Sequence, residues 1–390
     1  MARNSAPQAV SDANNPSAPQ VSARSPYRTD AAPSPARTVM PRIVDEISGA
    51  SPQLITDILT AVPGVNSHDE LARRSELFDI VEVIEPPYPP PRQDQPASVR
   101  VGAWNLERGK YIGAAAAVIA DTGFDVGLLC EVDKGMARSG NRDAIRELAA
   151  QLGFGYAFCV EFIEAGAGHS AEMAEFADEP NRLGLHGNAI ISRFPLENIR
   201  IIAAKPDGVW FDLDWHHRRV GGRCALLADV RVGEQAVLRV ASVHFESMYT
   251  PQQRAAEARE LLEAMAIGGL PDVIGGDLNT HAIPCGPGDS AWLARPQEYE
   301  PLFDVLRDYG YHWTGSNTAD PTRRTLRTGW PKPPHTRCDW LLCRSGLSVA
   351  VPTVIPALNS AGFPISDHDM VIADIVGHGP TVQAGVGEGS

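Results

Sequence analysis

Between residues 99 and 375 the chain repeats one pattern. A short apolar run suited to a buried strand ends on, or opens from, a polar or titratable residue next to a turn. Residues 99–104 run into Asn105, 126–130 into Glu131, 236–243 into His244 and 273–276 into Asp277. Asp339 opens the run at 340–343, and Asp367-His368 precede the run at 370–375. Helical periodicity falls between them at 114–121, 142–152 and 251–267, the last with Thr250 as N-cap and Pro251 in its first turn. Such alternation restricts the chain to layers of sheet and helix around a shared core. A carboxylate at the end of a buried strand is costly unless donors or a cation compensate it, and strand-end loops are where sites sit.

The remainder divides by composition. Residues 1–41 are rich in Ala, Ser, Pro, Asn and Arg and are expected to be disordered. Residues 42–80 are expected to be a helical appendage, with Ile43, Val44, Ile47, Leu54, Ile55, Ile58, Leu59 and Val62 at helical spacing. A second helix is expected at 67–78, capped by Ser67 or His68. This pair is expected to pack on the main domain, the alternative being a surface that docks a protein partner. Residues 81–97, with Pro86-Pro87-Tyr88-Pro89-Pro90-Pro91, read as a stiff linker. The main domain is placed at 98–378 and a flexible tail at 379–390.

Net charge is −14, and from Ser98 onward there are 26 Lys and Arg against 36 Asp and Glu. That balance argues against tight non-specific binding of nucleic acid. The six cysteines form no C-x-x-C pair and read as reduced, buried thiols. No apolar run is long enough for a transmembrane segment, and a cytoplasmic location is expected.

Taken singly, each strand-end residue has a bland reading. Glu131 could pair with a surface Arg, His244 could be a hydrogen-bonded core residue, and Gly275-Gly276-Asp277-Leu278-Asn279 could be an ordinary turn. Two spacings go further. Asp277 and Asn279, two apart, point the same way on an extended segment, and the paired glycines would let the backbone turn beside a phosphate. Asp367-His368 beside another acidic strand end would supply the pair needed for general-base work, although the dipeptide alone is weak evidence.

In this order, Trp104-Asn105, the Glu131 strand, Gly187-Asn188-Ala189-Ile190-Ile191-Ser192-Arg193, the His244 strand, Gly276-Asp277-Leu278-Asn279, Asp339-Trp340 and Ser366-Asp367-His368 resemble the endonuclease/exonuclease/phosphatase (DNase I-like) superfamily over residues 99–375. The resemblance implies an α+β fold, a four-layer α/β/β/α sandwich of two mixed β-sheets flanked by helices, preceded here by the disordered and helical segments. It implies a hydrolase acting on phosphate esters through water attack. Asn105, Glu131 and Asp367 are implied as ligands of the divalent ion, and His368 as the base oriented by Asp339. Asp277 and Asn279 are implied to orient water and phosphate or assist the leaving group, His244 to contact a non-bridging oxygen, and Asn188 to contact the phosphate or fix a loop. An oxygen-rich donor set favours Mg²⁺ or Mn²⁺, and no His or Cys cluster has zinc spacing.

The substrate is less legible. A phosphodiesterase or nuclease is the leading expectation, with nucleic acid among the candidate substrates. A phosphomonoesterase or lipid-headgroup phosphodiesterase is the alternative, and a non-catalytic binding module is the second. His244-Phe245-Glu246-Ser247, followed by a helix bearing Arg254, is similar to a segment of tyrosyl-DNA phosphodiesterases and makes Arg254 a candidate substrate contact. The basic stretch Arg323, Arg324, Arg327, Lys332, His335 and Arg337 is a candidate phosphate-binding edge, Arg337 foremost. Residues 210–219 form an aromatic and basic loop that could grip a base or phosphate. The acidic segment 161–186, with a small helix expected at 172–176, could wall the site against duplex DNA.

Overall fold

The computed structural model describes residues 36–90, 96–166, 168, 170–176, 178–204, 210–211, 218–234, 236–285, 290–333 and 335–376. Among these, two mixed sheets lie face to face. One runs β1 (Arg37–Val39), β8 (Leu196–Ala203), β10 (Cys224–Arg231), β11 (Val237–His244), β12 (Val273–Asp277), β14 (Asp339–Arg344) and β13 (Tyr311–His312). The other runs β15 (Ser348–Ile355), β16 (Met370–Val376), β4 (Ser98–Arg108), β5 (Val126–Lys134), β7 (Leu185–Ser192), β6 (Gly155–Glu164), β3 (Ile80–Ile84) and β2 (Arg42–Val44), with β9 (Arg219–Gly221) paired to β6.

Three apolar layers follow from the strand alternation. Val101, Ala103 and Leu128 of one sheet meet Leu226, Val240, Val273 and Leu341 of the other between the sheets. Helices Ile112–Thr122 and Ala144–Leu152 cover the outer face of the nine-stranded sheet through Ile112, Ile119, Ile145 and Leu148. Helices Pro251–Ile267 and Leu302–Asp308 cover the other sheet through Leu261, Leu262, Phe303 and Leu306. The four-layer α/β/β/α arrangement is therefore realised. The long helix starts as its sequence indicates, with Pro251 in its first turn and a reciprocal capping box between Thr250 and Gln253.

Three expectations change. Ordered structure begins ahead of residue 42, because β1 pairs with β8. The stretch 42–80 also holds more than helices: β2 pairs with β3, and β3, inside the supposed linker, pairs with β6. The helices there are Pro52–Thr60 and Val65–Arg73, the second capped by Gly64 rather than Ser67 or His68. Leu54, Ile58 and Leu71 join the core under the nine-stranded sheet, so the pair packs on the sandwich. Third, Gly275 and Gly276 lie within β12 and form no phosphate loop. A side chain at Gly275 would strike Leu128 and Leu341, and one at Gly276 (φ 146°) would strike the Val243 carbonyl, so these glycines permit close sheet contact. All six cysteines are buried free thiols. Residues 1–35, 212–217 and the tail expected at 379–390 lie outside the described residues.

Candidate active site

Strand direction explains why these residues meet. β4 and β5 are parallel neighbours, as are β11 and β12, so Asn105, Glu131, His244 and Asp277 lie toward the C-terminal ends of their strands. β14 runs antiparallel to β12 and β16 antiparallel to β4, so Asp339 and His368 lie where those strands begin. Register places His244 opposite Asp277, and Asp277 opposite Asp339. Irregularities aim the other sheet's groups. The register to β7 shifts across Glu131, between Leu129 and Val132, and the register between β4 and β5 shifts after Asn105, with Glu131 at φ 51°.

Asp277 is the hub. Its Oδ2 accepts from Asn105 Nδ2 at 3.1 Å and lies 3.6 Å from His368 Nε2 and 3.8 Å from His244 Nε2. Its Oδ1 accepts the Asn279 backbone N–H at 2.8 Å, and Asn279 Nδ2 donates to the Phe245 carbonyl. Asn105 Nδ2 also donates to Glu131 Oε1 at 3.2 Å, while its Oδ1 accepts from the Glu107 N–H. His368 Nδ1 pairs with Asp339 Oδ2 at 2.7 Å, and Asp367 Oδ1 lies 3.9 Å from His368 Nε2. Asn105, Glu131, His244, Asp277, Asp339 and His368 thus lie in one network of contacts, with Asp367 beside His368 and Asn279 tied to Asp277 through its backbone.

The electrostatics differ from group to group. Burial opposes charge on His368, yet Asp339, Asp277 and Asp367 outweigh it and raise the imidazole to about 10. Burial lifts Asp339 above the usual carboxylate range, opposed by His368. Asp277 is held low, against its burial, by His368 and His244. Glu131 is held well below its ordinary value, again against burial, by Arg108 and His244. Glu107 rises to about 6, through burial and then the neighbouring Asp367.

Several partners were not singled out from sequence. Arg223 Nη1 donates to His244 Nδ1 at 2.7 Å and to Glu161 Oε2 at 3.4 Å, while its Nε donates to Glu246 Oε2 at 3.2 Å. A guanidinium only donates, so Nδ1 accepts and the ring hydrogen sits on Nε2, facing Glu131 and Asp277. Ser366 Oγ donates to the Asn105 carbonyl and accepts the His368 N–H, while Trp104 Nε1 donates to the His368 carbonyl. Thr322 Oγ1 accepts the Asp339 N–H. The Ser of Ser366-Asp367-His368 was the one visible hint of these ties.

The three expected substrate contacts are corrected. Arg254 is buried, its fork on Glu300 and Nη1 on the Tyr249 carbonyl, so it braces the helix. Arg337 is fully buried over Trp340, donating to the Asp320 carbonyl and Asn317, and burial lowers it to about 10. Asn188, also fully buried, donates to the Cys224 carbonyl and Glu161, so its amide nitrogen is engaged by the protein rather than free for substrate. Of the basic stretch, Arg324 is taken by Asp369, whereas Arg323 reaches Asp367 at 3.4 Å.

No curated protein matches this chain. Solved structures similar to it include an endonuclease/exonuclease/phosphatase from Beutenbergia cavernae (19% identity, 73% of each chain, TM-score 0.49). Others are truncated TDP2 of Caenorhabditis elegans (15%, 72% of this chain and 98% of that one, TM-score 0.41) and a mannosyl-6-phosphatase of Bacteroides thetaiotaomicron (15%, 72% and 100%, TM-score 0.45). The Endonuclease/Exonuclease/phosphatase family model matches residues 102–368, most of the chain and every site residue from Asn105 to His368. With the two-sheet sandwich and its converging strand ends, this establishes that the chain belongs to the endonuclease/exonuclease/phosphatase family, whose members are typically divalent-metal-dependent phosphoester hydrolases.

Proposed function

We propose that this protein is a Mg²⁺- or Mn²⁺-dependent phosphodiesterase or nuclease that hydrolyses its ester by direct attack of water. The observation that carries this reading is the gathering of Asn105, Glu131, His244, Asp277, Asp339 and His368 from six strand ends into one cluster.

The donor chemistry fits a hard cation. Asn105, Glu131 and Asp367 would hold it, and beside them Glu107 is raised to about 6, chiefly by burial and then by Asp367. As arranged, Asn105 turns its nitrogen to the acids, so ligation through oxygen requires its amide to turn over. A tighter group, Asp277, Asp339 and His368, has ligand atoms within 4.8 Å of one another. Its Asp339–His368 hydrogen bond would be lost to a metal there, which favours the Glu131 side. When bound, such an ion polarises the phosphoryl oxygen and offsets the charge of the in-line transition state.

The side chains divide the remaining work. Asp339 fixes the His368 ring and stabilises its charged form. His368 takes the proton of the attacking water once the charge of Asp277 and Asp367 is offset. His244 presents Nε2–H to a non-bridging oxygen. The buried thiols nearest the site, Cys130 and Cys338, are pushed well above their ordinary range by burial, so neither supplies a thiolate nucleophile. A second reading exchanges two roles: Asp277, held ionised, accepts the water proton while charged His368 grips the phosphate. The pH profiles of His368→Gln and Asp277→Asn separate the two.

The test is turnover by the full chain with Mg²⁺ or Mn²⁺ on bis-p-nitrophenyl phosphate, p-nitrophenyl phosphate, single- and double-stranded DNA, RNA and phospholipids. Diester cleavage that chelator abolishes, and that Glu131→Ala and His368→Ala lose, is expected. Retained turnover in both variants refutes the assignment. Preference for the monoester or for lipid moves the substrate to the alternative classes, and no turnover on any substrate favours a binding module.

A further inference from the structure

The acidic segment after β6 does reach the site, through one residue. Glu172, in the short helix Ser170–Glu175, is buried, and its Oε1 lies 2.9 Å from Arg108 Nε. Arg108 Nη1 in turn lies 3.5 Å from Glu131 Oε2. On its other side Glu172 lies 3.5 Å from Nη1 of Arg138, a buried cation whose remaining fork is held by Asp133. Gly168 backs this seat, and any side chain there would collide with Glu172 Oε2.

The fit is electrostatic but imperfect. Arg108 Nε and Arg138 Nη1 are both buried, and neither has a hydrogen-bond acceptor in line, although both are close to Glu172. As placed, the Glu172 carboxylate lies close to both guanidinium N–H groups without meeting either in line. A phosphate, with more outward oxygens and the geometry that arginine forks recognise, would meet both. The seat is one contact beyond Glu131, and the Arg108 and Glu131 side chains are partly open to solvent.

We propose that Arg108 and Arg138 form a second phosphate subsite beside the catalytic cluster, and that Glu172 occupies it as a built-in competitor. Resting on the phosphodiesterase reading above, this makes Glu172 a specificity-determining residue. It disfavours substrates carrying a second phosphate next to the scissile one, such as oligonucleotides, relative to diesters with a single phosphate.

The experiment compares wild type, Glu172→Gln and the double variant Glu172→Gln/Arg108→Gln as full chains, in two arms. In the first, kcat/KM is measured with Mg²⁺ on pentathymidylate and on bis-p-nitrophenyl phosphate. Glu172→Gln is expected to raise the ratio of kcat/KM on pentathymidylate to that on bis-p-nitrophenyl phosphate by about tenfold, the scale of one charge-assisted hydrogen bond. In the second, metal-free binding of labelled pentathymidylate is followed by fluorescence anisotropy. Glu172→Gln is expected to tighten it and the double variant to reverse the gain. Glu172→Asp, which keeps the charge but withdraws it by one methylene, should shift both arms less in the same direction and serves if the Gln variant does not fold. Unchanged selectivity and affinity, or a parallel loss on both substrates, overturns the proposal. Absence of turnover by wild type overturns the functional reading instead, and the binding arm still decides the subsite.

Discussion

His368 and His244 flank Asp277 almost symmetrically, their Nε2 atoms 3.6 and 3.8 Å from the same carboxylate oxygen. What lies behind each ring differs. His368 Nδ1 meets buried Asp339, so its ring is stabilised as a cation. His244 Nδ1 meets Arg223, which can only donate, so that ring keeps its hydrogen on Nε2. Two identical side chains are thus held differently, one ring backed by a carboxylate and the other by a guanidinium, and the difference lies in the groups behind the rings.

The sharpest way to break that contrast is to remove the carboxylate. Asp339→Asn should lower kcat by about 10²–10⁴-fold, the scale of a positioned acid or base. A loss of under about tenfold would make the Asp339 contact merely structural. Next is Arg223→Lys, which keeps charge beside Glu161 and Glu246 but loses the fork. It should cost about tenfold in kcat, the scale on which groups orienting an active-site histidine act. A KM effect alone would mean that His244 serves binding only.

The contrast can also be sharpened by titration. In metal-free protein the His368 ring, followed by NMR, should titrate near pH 10, and in Asp339→Asn it should move toward the ordinary value of about 6.5. The linkage sign follows from a folded value above the unfolded one. The stability this contact adds is complete below about pH 6.5 and is lost as pH rises to about 10. Smallest in effect, and a control remote from both rings, is Thr250→Ala. Loss of its capping box should cost about 1 kcal/mol of stability in chemical denaturation and leave kcat unchanged.

How legible each part was depends on where its signal lies. Groups at the ends of apolar runs, from Asn105 to His368, could be read because burial, strand period and position all bear on the same residue. Their partners could not. Arg223 and Thr322 come from loops and Glu161 from a strand of the other sheet, and only the folded chain brings them in. Arg254 and Arg337 misled because charge suggested exposure, whereas Glu300 and Trp340 hold them in the interior. Gly275-Gly276 looked like a turn because a strand glycine needed for sheet contact has the same local signature as a loop glycine. The short strands β1 and β2 carry too few residues to show a period.

The central claim is that groups brought in by both sheets act as one catalytic unit, and the most direct test is a double-mutant cycle on kcat for diester hydrolysis. Side chains that act together lose most of the rate with the first substitution. Glu131→Ala and His368→Ala combined should therefore cost little more than the worse single variant. Losses that multiply, each variant retaining its separate fraction of activity, would contradict a single centre.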